Sequence, residues 1–373
     1  MGEIETQRLG DLVENLDRKR VPISSRERAK RQGEYPYYGA AGVLDHIDGY
    51  LFDGTYVLVG EDGTVETPSG SAMVQFVRGR FWANNHAHVL RAATDADTRY
   101  LAYALTQVPI HPFLTGSVQL KLTQANLNDI KVAWPARHVR ERIAGLLGAI
   151  DDAIDEYAAL VGVCELLVTA ELTRASITAE DWTEVPLTAI ARFVNGGAYT
   201  KGASGRGRIV LRIRELNSGV GEGTVYSEIE VPKDQEADPG DILFPWSGSL
   251  GLYRWRGPNA IINQHIFKVI PRACPAWFVY ARVLDHLPEF REIARDKATT
   301  MGHIQRSHLD EALVLLPDTQ TMGVLDARLG PVWDLVLECE RAMTSLSSMR
   351  DVLLPALIAG RLPREGWPDE AAA

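Results

Sequence analysis

The sequence of 373 residues holds only three cysteines, and no two of them are spaced as C-x-x-C. A disulfide framework and a structural zinc site both need more cysteines, or closer ones. We therefore expect Cys164, Cys274 and Cys339 to be buried thiols. Long apolar runs are also missing, and the first residues are acidic and amphipathic. Neither a membrane span nor a secretory signal is predicted, so we expect the protein in the cytoplasm.

An excess of positive charge is missing too, because 39 basic and 49 acidic residues give a net charge of -10. Such a balance argues against nucleic-acid binding only if it is evenly spread. Residues 1–135 carry 14 basic and 16 acidic side chains, and residues 181–317 carry 16 of each. Residues 136–180 carry 4 and 8, and residues 318–373 carry 5 and 9. The acidity thus lies mainly in two segments and leaves the other two able to contact DNA.

The second half of the sequence repeats the first at an offset of about 180 residues. Residues 122–135 (LTQANLNDIKVAWP) align with residues 304–317 (IQRSHLDEALVLLP). Each copy reads as a turn, a strand with alternating apolar and polar residues, and a terminating proline. Short β-branched and aromatic runs separated by glycine precede both copies. The repeat predicts two similar α+β domains, each centred on a twisted sheet, at residues 1–135 and 181–317.

An apolar residue recurs every seven positions after each matched strand. The two series are Ile143, Ile150, Tyr157 and Cys164, and Leu325, Val332, Cys339 and Leu346. Such a stripe is typical of a helix that binds a partner helix along its length, although a lone amphipathic helix on a domain surface is the simpler interpretation of either series. We predict spacer helices in residues 136–180 and 318–373, the first over about 138–176 with a length of about 58 Å. Gly330-Pro331 is expected to begin or kink the second helix.

Several motifs carry a resemblance to a known family. They are Tyr37–Ala40, Gly60–Gly63, Asn84–Val89, Thr115–Gln119 and Leu122–Leu127 in the first half, and Gly240–Gly248 and Asn263–His265 in the second. In this order and spacing, the sequence resembles the specificity subunit of type I restriction-modification enzymes over nearly its whole length.

The resemblance implies a fold of two target-recognition domains separated by two long antiparallel, coiled-coil-like helices with pseudo-twofold symmetry. It implies that each domain reads one half of a split site in double-stranded DNA. It further implies two modification subunits that methylate adenine with S-adenosylmethionine, and restriction subunits that use ATP and Mg²⁺ to translocate and cut DNA. The chain itself is expected to bind no cofactor and to catalyse nothing. In agreement, it has neither an N-P-P sequence for adenine methylation nor a G-x-x-x-x-G-K-[ST] phosphate loop.

Basic and amide side chains in the two domains are the predicted DNA contacts, because cations bind phosphates and arginine and glutamine read base edges. In the first domain they are Arg18, Lys19, Arg20, Arg26, Arg28, Lys30, Arg31, Arg78, Arg80, Gln119, Lys121 and Gln124. In the second they are Lys201, Arg206, Arg208, Arg212, Arg214, Arg254 and Arg256. The alternate spacing of residues 206 and 208, and of 212 and 214, predicts arginines on one side of a strand. For any single residue, a solvated surface charge is the competing interpretation.

Two other functions compete with DNA recognition. His86 and His88 are two apart and would share a strand face, where Glu61 or Asp62 could complete the metal site of a hydrolase. A pair of hydrogen-bonded histidines that order a loop explains the same pattern without a metal. Alternatively, the helices alone would make the chain a structural adaptor without DNA readout, but an adaptor does not require two repeated sheet domains.

Overall fold

The computed structural model of the chain describes residues 5–177, 182–221, 223–296 and 302–361. The chain forms two compact units, residues 1–153 with 346–373 and residues 154–345. Both units combine helices with sheets, which confirms the predicted α+β class. The predicted boundary between residues 180 and 181 and the predicted tail after residue 361 lie outside the described residues. None of the described helices is both long enough and apolar enough to cross a lipid bilayer.

The first unit is built on one large sheet. The strands and short helices of this unit are, in chain order, β1 (Thr6–Arg8), β2 (Val13–Asn15), α1 (Ser25–Arg28), β3 (Gln32–Tyr38), β4 (Val43–Ile47), β5 (Phe52–Gly60), β6 (Val74–Ala83), β7 (Ala87–Ala92), α2 (Asp95–Leu105), α3 (Gln124–Asp129) and β8 (Lys131–Ala133). Among the described residues, six strands pair in the order β2-β7-β5-β6-β3-β4, with β3 and β6 parallel and the other neighbours antiparallel. β1 pairs separately with β8.

The core of the first unit lies between this sheet and α2. Thr94 caps α2 by accepting a hydrogen bond from the backbone N–H of Asp97, at 3.0 Å, and so satisfies a donor that has no partner within the helix. Tyr100 and Leu101 of α2 are fully buried and pack with Val57 and Leu90 of the sheet. After β8, Pro135 ends the strand segment and the long helix α4 (Arg137–Ile177) begins. It confirms the helix predicted over residues 138–176.

In its described residues, the second unit has two four-stranded sheets and one separate pair of strands. Its elements are β9 (Thr183–Pro186), α5 (Leu187–Ile190), β10 (Ala191–Asn195), β11 (Arg208–Leu211), α6 (Ile213–Ser218), β12 (Val225–Ser227), β13 (Glu236–Ala237), β14 (Ile242–Pro245), β15 (Tyr253–Arg254), β16 (Ala260–Ile262), β17 (Ile266–Pro271), α7 (Ala276–Asp296), α8 (Arg306–Glu311) and β18 (Leu313–Leu316). The described strands form the antiparallel order β10-β17-β14-β15, a mixed sheet β12-β11-β16-β13 and the pair β9-β18. The second long helix, α9 (Thr319–Ile358), follows.

The internal repeat is confirmed in the topology. The order β2-β7-β5-β6 of the first unit matches β10-β17-β14-β15 of the second, and the pair β1-β8 matches β9-β18. α2 and α7 occupy the same place in the chain, after β7 and β17, and the short helices α3 and α8 precede β8 and β18. The sequence match between residues 122–135 and 304–317 therefore marks a duplicated fold rather than a chance similarity.

The two long helices contribute one segment to each unit, and their segments are antiparallel in both. In the first unit, Ile143 packs in one core with Leu357, and Asp151 pairs with Arg350 at 3.0 Å. Since the partner number falls as the α4 number rises, the segments run in opposite directions. The same relation holds in the second unit, where Cys164 lies in one cluster with Val336 and Cys339, and Glu171, further along α4, pairs with Arg328 at 3.2 Å.

Seven of the eight predicted heptad residues of the two helices take part in this internal burial. Ile143, Ile150, Cys164, Leu325 and Cys339 are buried, and Tyr157 and Val332 pack at the edge of the cluster around Cys164. Leu346 is half-buried. The expectation that Gly330-Pro331 begins the second helix is wrong, because α9 begins at Thr319 and continues through Pro331. The predicted boundaries at residues 135/136 and 317/318 fall within two residues of the starts of α4 and α9.

Candidate DNA interface

Three loops of the first unit meet beside the sheet, and we call them the first loop cluster. They are residues 61–63 after β5, residues 84–86 before β7, and residues 115–123 before α3. The backbone N–H of Glu61 donates to the carbonyl of His86 at 2.8 Å, and the N–H of Leu122 donates to the carbonyl of Glu61 at 2.8 Å. One residue, Glu61, thus connects the other two loops.

The second unit has three loops in equivalent places, the second loop cluster. They are residues 246–249 after β14, residues 263–265 before β17, and residues 302–305 before α8. The backbone N–H of Trp246 donates to the carbonyl of His265 at 3.1 Å, and the N–H of Ile304 donates to the carbonyl of Trp246 at 3.0 Å. These bonds repeat the pattern around Glu61. The isolated bridge between Asp62 and Lys121 also recurs, as the bridge between Ser247 and His303.

The side chains on these equivalent frames differ in chemistry. In the first cluster they are charged, since the Glu61 carboxylate pairs with Arg20 at 2.7 Å and with Lys121 at 3.0 Å. In the second cluster the residue equivalent to Glu61 is Trp246, whose ring centre lies 5.0 Å from that of His265. Its indole N–H donates to the side-chain oxygen of Asn195 at 2.8 Å. The two frames therefore offer different hydrogen-bonding and stacking groups.

His88 fixes the first loop cluster from inside. Its side chain is 1% exposed, with Nδ1 at 2.6 Å from the Asp17 carboxylate and Nε2 at 2.8 Å from the carbonyl oxygen of Leu122. A carbonyl only accepts hydrogen bonds, so Nε2 donates to Leu122. Burial tends to raise the pKa of Asp17, but the hydrogen bond and charge of His88, the N–H of Val89 and nearby Arg20 together hold that pKa below its ordinary value. The imidazole therefore links β7 to the ionised Asp17 and to the third loop.

The predicted histidine pair is wrong as a shared strand face. β7 begins at Ala87, so His86 lies in the turn before it, where its half-exposed ring contacts the Asp62 carboxylate, while His88 is buried within the strand. Ligand atoms of Asp17, Glu61 and His88 do lie within 4.8 Å of one another. However, the Arg20 guanidinium already pairs with both carboxylates, at 3.4 Å and 2.7 Å. This arrangement is an ion-pair network, and a metal-dependent hydrolase using His86 and His88 is not favoured.

The predicted DNA contacts of the first unit divide into exposed and internally bonded side chains. The exposed set is Arg18, Lys19, Arg26, Lys30, Arg78, Arg80, Gln119, Lys121 and Gln124. The half-buried set is Arg20, Arg28 and Arg31. Arg28 pairs with Asp45 at 3.1 Å and lies over the ring of Tyr37, and Arg31 pairs with Asp48 at 2.8 Å. Gln119 and Lys121 lie in the first loop cluster, and Arg18 and Lys19 precede Arg20, whose guanidinium pairs with Glu61 of that cluster at 2.7 Å.

The predicted contacts of the second unit divide in the same way. Lys201, Arg206, Arg214 and Arg256 are exposed, Arg208 and Arg212 are half-buried, and Arg254 is buried. The expectation that residues 212 and 214 lie on one side of a strand is wrong. β11 ends at Leu211, and Arg212 is the N-cap residue of α6, where its backbone N–H donates to the Glu215 carboxylate at 3.0 Å, while Arg214 lies within that helix.

Arg254 belongs to an ion-pair network that sequence inspection missed. Its guanidinium lies 2.9 Å from Glu340 of α9 and 2.6 Å from Glu165 of α4, under the ring of Tyr280 at 4.4 Å. The partners are more than 80 residues away along the chain, so no local pattern indicates them. Contact between Arg254 and DNA remains a prediction, but in this structure the side chain holds β15 against both long helices.

Comparison with known proteins finds similarity to the same family as the motifs. A family model described as the type I restriction modification DNA specificity domain matches residues 1–158. A putative type I restriction enzyme specificity subunit of Haemophilus influenzae is 35% identical over 148 residues, which cover 40% of this chain and 37% of that protein. The EcoprrI specificity subunit of Escherichia coli is 25% identical over 141 residues, or 37% of this chain and 34% of that protein. The chain thus aligns with little more than a third of the length of these relatives.

A solved structure extends the likeness to the whole fold. The S subunit of a type I restriction-modification system from M. genitalium is similar over 95% of both chains, with a TM-score of 0.58 and 16% sequence identity. At that identity the comparison concerns the fold alone. Residues 1–158 therefore match the model of type I restriction modification DNA specificity domains, and the fold of the whole chain is similar to that of a type I S subunit.

Proposed function

We propose that this chain is the DNA sequence-specificity subunit of a type I restriction-modification system, and that it binds a bipartite DNA site with each unit reading one half. The observation that carries the proposal is the loop frame that occurs twice, with the same backbone hydrogen bonds around Glu61 and Trp246. A repeated frame presents side chains to DNA in one manner, while different side chains on it select different bases. A single-site enzyme has no use for such a duplicated frame.

In this proposal, the exposed cations bind phosphates and the loop side chains read bases. Lys121 of the first loop cluster, and Arg18 and Lys19 next to Arg20, would position the duplex, because phosphate contacts fix the register of a protein on DNA. The amide of Gln119 can donate to and accept from a base edge in the major groove. In the second unit, Lys201 and Arg206 lie in the glycine-rich segment before β11 and would serve the phosphates there.

We also propose that the helices recruit the catalytic subunits. The heptad stripe is used inside the chain, but α4 exposes apolar side chains on its segment of the second unit, with Val163 62% and Leu166 71% exposed. Exposed apolar patches of this kind favour a protein partner. The partners proposed are two modification subunits that bind S-adenosylmethionine and restriction subunits that bind ATP and Mg²⁺. The chain itself would act in the cytoplasm without catalysing a reaction or holding a cofactor.

Methylation mapping tests the proposal. In a methylation-free host, co-expression of the chain with its modification subunit is expected to methylate adenine on both strands of one bipartite sequence. Long-read sequencing detects the modified adenines, and cells that express the modification subunit alone are the control. Methylation of the same sequence without the chain would contradict the proposal.

Gly196 offers a sharper test of the second unit. A Cβ atom at this position would lie 2.2 Å from the carbonyl oxygen of Ile262 and 2.3 Å from that of Asn263, both backbone atoms. Gly196→Ala must therefore displace residues 263–265 of the second loop cluster. We expect the affinity for the target sequence found by methylation mapping, measured by fluorescence anisotropy, to fall at least about tenfold, equivalent to about 1.4 kcal/mol.

Gly221→Ala is the matched control, because a Cβ atom there meets nothing within 4 Å. It is expected to bind DNA like the unmodified chain. Equal affinities for Gly196→Ala and Gly221→Ala would mean that the second loop cluster does not contact DNA.

A further inference from the structure

An open cavity of about 360 Å³ lies beside the second loop cluster. One wall is formed by Gly248, Ser249 and Leu250, which continue the first loop of that cluster, and by Gly302 of its third loop. The opposite wall is the last part of α7, with Arg291 and Arg295. The cavity is therefore continuous with the loops that we propose to meet DNA, and its one charged wall is positive.

The two arginines differ from most arginines of the chain in having no carboxylate partner among the described residues. Arg282, earlier on the same helix, pairs with Asp285 at 3.0 Å. Among the described residues, the Arg291 guanidinium donates to the carbonyl oxygen of Leu250, at 3.1 Å. Residues four apart on a helix lie on the same face, so both guanidinium groups flank one opening, and neither forms an ion pair within the described part of the chain.

The pair of arginines beside the cavity is specific to the second unit, because α7 is longer than its counterpart in the first unit. α7 has 21 residues, whereas its counterpart α2 has 11. Arg291 and Arg295 lie in the extension, beyond the part of α7 that corresponds to α2. A cation in the last turn also stabilises a helix through its dipole, but that effect does not require both arginines to line the cavity formed with the loops.

We propose that Arg291 and Arg295 form a phosphate-binding site that holds one stretch of the DNA backbone against the second unit. The inference rests on the proposed function and extends it to residues that the sequence motifs did not indicate. Guanidinium groups bind phosphate oxygens in a bidentate manner, and two of them on one helix face suit adjacent oxygens of a phosphodiester chain. Because the extension is present only in α7, the site serves one half of the bipartite sequence.

The salt dependence of DNA binding tests the site without knowledge of the target. The full chain is titrated with a random-sequence 30-base-pair duplex over a series of salt concentrations. Each phosphate contact contributes about 0.9 to the slope of log K against log salt. Arg291→Gln/Arg295→Gln is expected to reduce that slope by about two, Arg295→Gln alone by about one, and Arg291→Lys/Arg295→Lys by less than either.

Arg341→Gln is the matched control, since Arg341 is an exposed arginine on a helix of the same unit whose charge is already paired with Glu338. Its slope is expected to equal that of the unmodified chain. An unchanged slope in Arg291→Gln/Arg295→Gln, with an unchanged melting temperature, would overturn the proposal.

A second arm separates DNA from free anions and from failure of the proposed function. The melting temperatures of the unmodified chain and of Arg291→Gln/Arg295→Gln are compared with and without inorganic phosphate. If the unmodified chain binds no DNA, the proposed function fails, and stabilisation by phosphate that the variant loses would still support an anion site. If DNA binding is intact, the slope is unchanged and only phosphate stabilisation is lost, the site takes free phosphate and the assignment to DNA is overturned.

Discussion

Replacing Glu340 by leucine is expected to lower the free energy of unfolding by about 3–5 kcal/mol, the usual cost of leaving a buried charge without its partner. Arg254 is 4% exposed at its side chain and donates to both oxygens of Glu340, at 2.9–3.1 Å. Burial alone would lower the pKa of Arg254, but Glu340, Tyr280 and Glu165 raise it above its ordinary value. Arg254 stays charged after the substitution, because a guanidinium is not deprotonated in proteins and Glu165 still pairs with it at 2.6 Å. Urea unfolding of the full chain measures the loss.

Glu338→Leu is the matched control, because Glu338 lies on the same helix and its pair with Arg341 is exposed. Exposed pairs contribute only about 0–1 kcal/mol. The double variant Arg254→Leu/Glu340→Leu is expected to recover much of the loss, since it removes both buried charges. A cost for Glu340→Leu no larger than that for Glu338→Leu would show that the network does not hold β15 against the helices.

His88→Ala is expected to destabilise the first unit by about 3 kcal/mol and to free residues 115–123. The substitution leaves the Asp17 carboxylate and the carbonyl of Leu122 short of a donor, and each buried group left in this way costs about 1–3 kcal/mol. Without the bond to Leu122, the third loop keeps its contacts with residues 61–62, namely the backbone bond to Glu61, the Lys121–Glu61 ion pair and the bridge to Asp62, but loses its tie to β7 through His88. Limited trypsin digestion, with mass spectrometry of the products, should show faster cleavage after Lys121.

His111→Ala serves as the comparison for His88→Ala. Its ring is 73% exposed and lies 3.5 Å from the Glu66 carboxylate, so its removal is expected to change neither stability nor cleavage. If cleavage after Lys121 in His88→Ala proceeds at the rate of the unmodified chain, His88 does not hold the loop. Loss of DNA affinity together with faster cleavage would connect this internal histidine to readout by the first loop cluster.

Much of the fold could be predicted from sequence because its signals are local or periodic. The heptads at Ile143 and Leu325 predict long helices from spacing alone, and the match of residues 122–135 with 304–317 predicts a duplicated fold without any knowledge of contacts. The course of α9 through Gly330-Pro331 was less accessible. Pro331 suggested a break, yet the helix continues through it, so a proline rule for isolated helices does not fix the boundary here.

The candidate site was harder to predict because a cation alone does not indicate its partner. Arg254 and Arg206 look alike in sequence, but the first is buried against Glu340 and the second is exposed. The distinction depends on acids brought in by the fold from distant segments. Likewise, the spacing of His86 and His88 suggested one strand face, whereas the strand begins between them. The correspondence between the two loop clusters lies in backbone bonds at equivalent positions, such as Glu61 and Trp246, whose side chains share no chemistry.

The contribution of residues 346–358 to the first unit affects how the chain is made. Leu357 and Ile358 fill a core that otherwise consists of residues from the first 150 or so positions, such as Leu101 and Leu147. A ribosome synthesises the entire second unit before it supplies them. The nascent first unit must therefore wait with an open hydrophobic surface, and a premature stop codon near residue 345 would damage the amino-terminal half of the protein rather than the half in which it occurs.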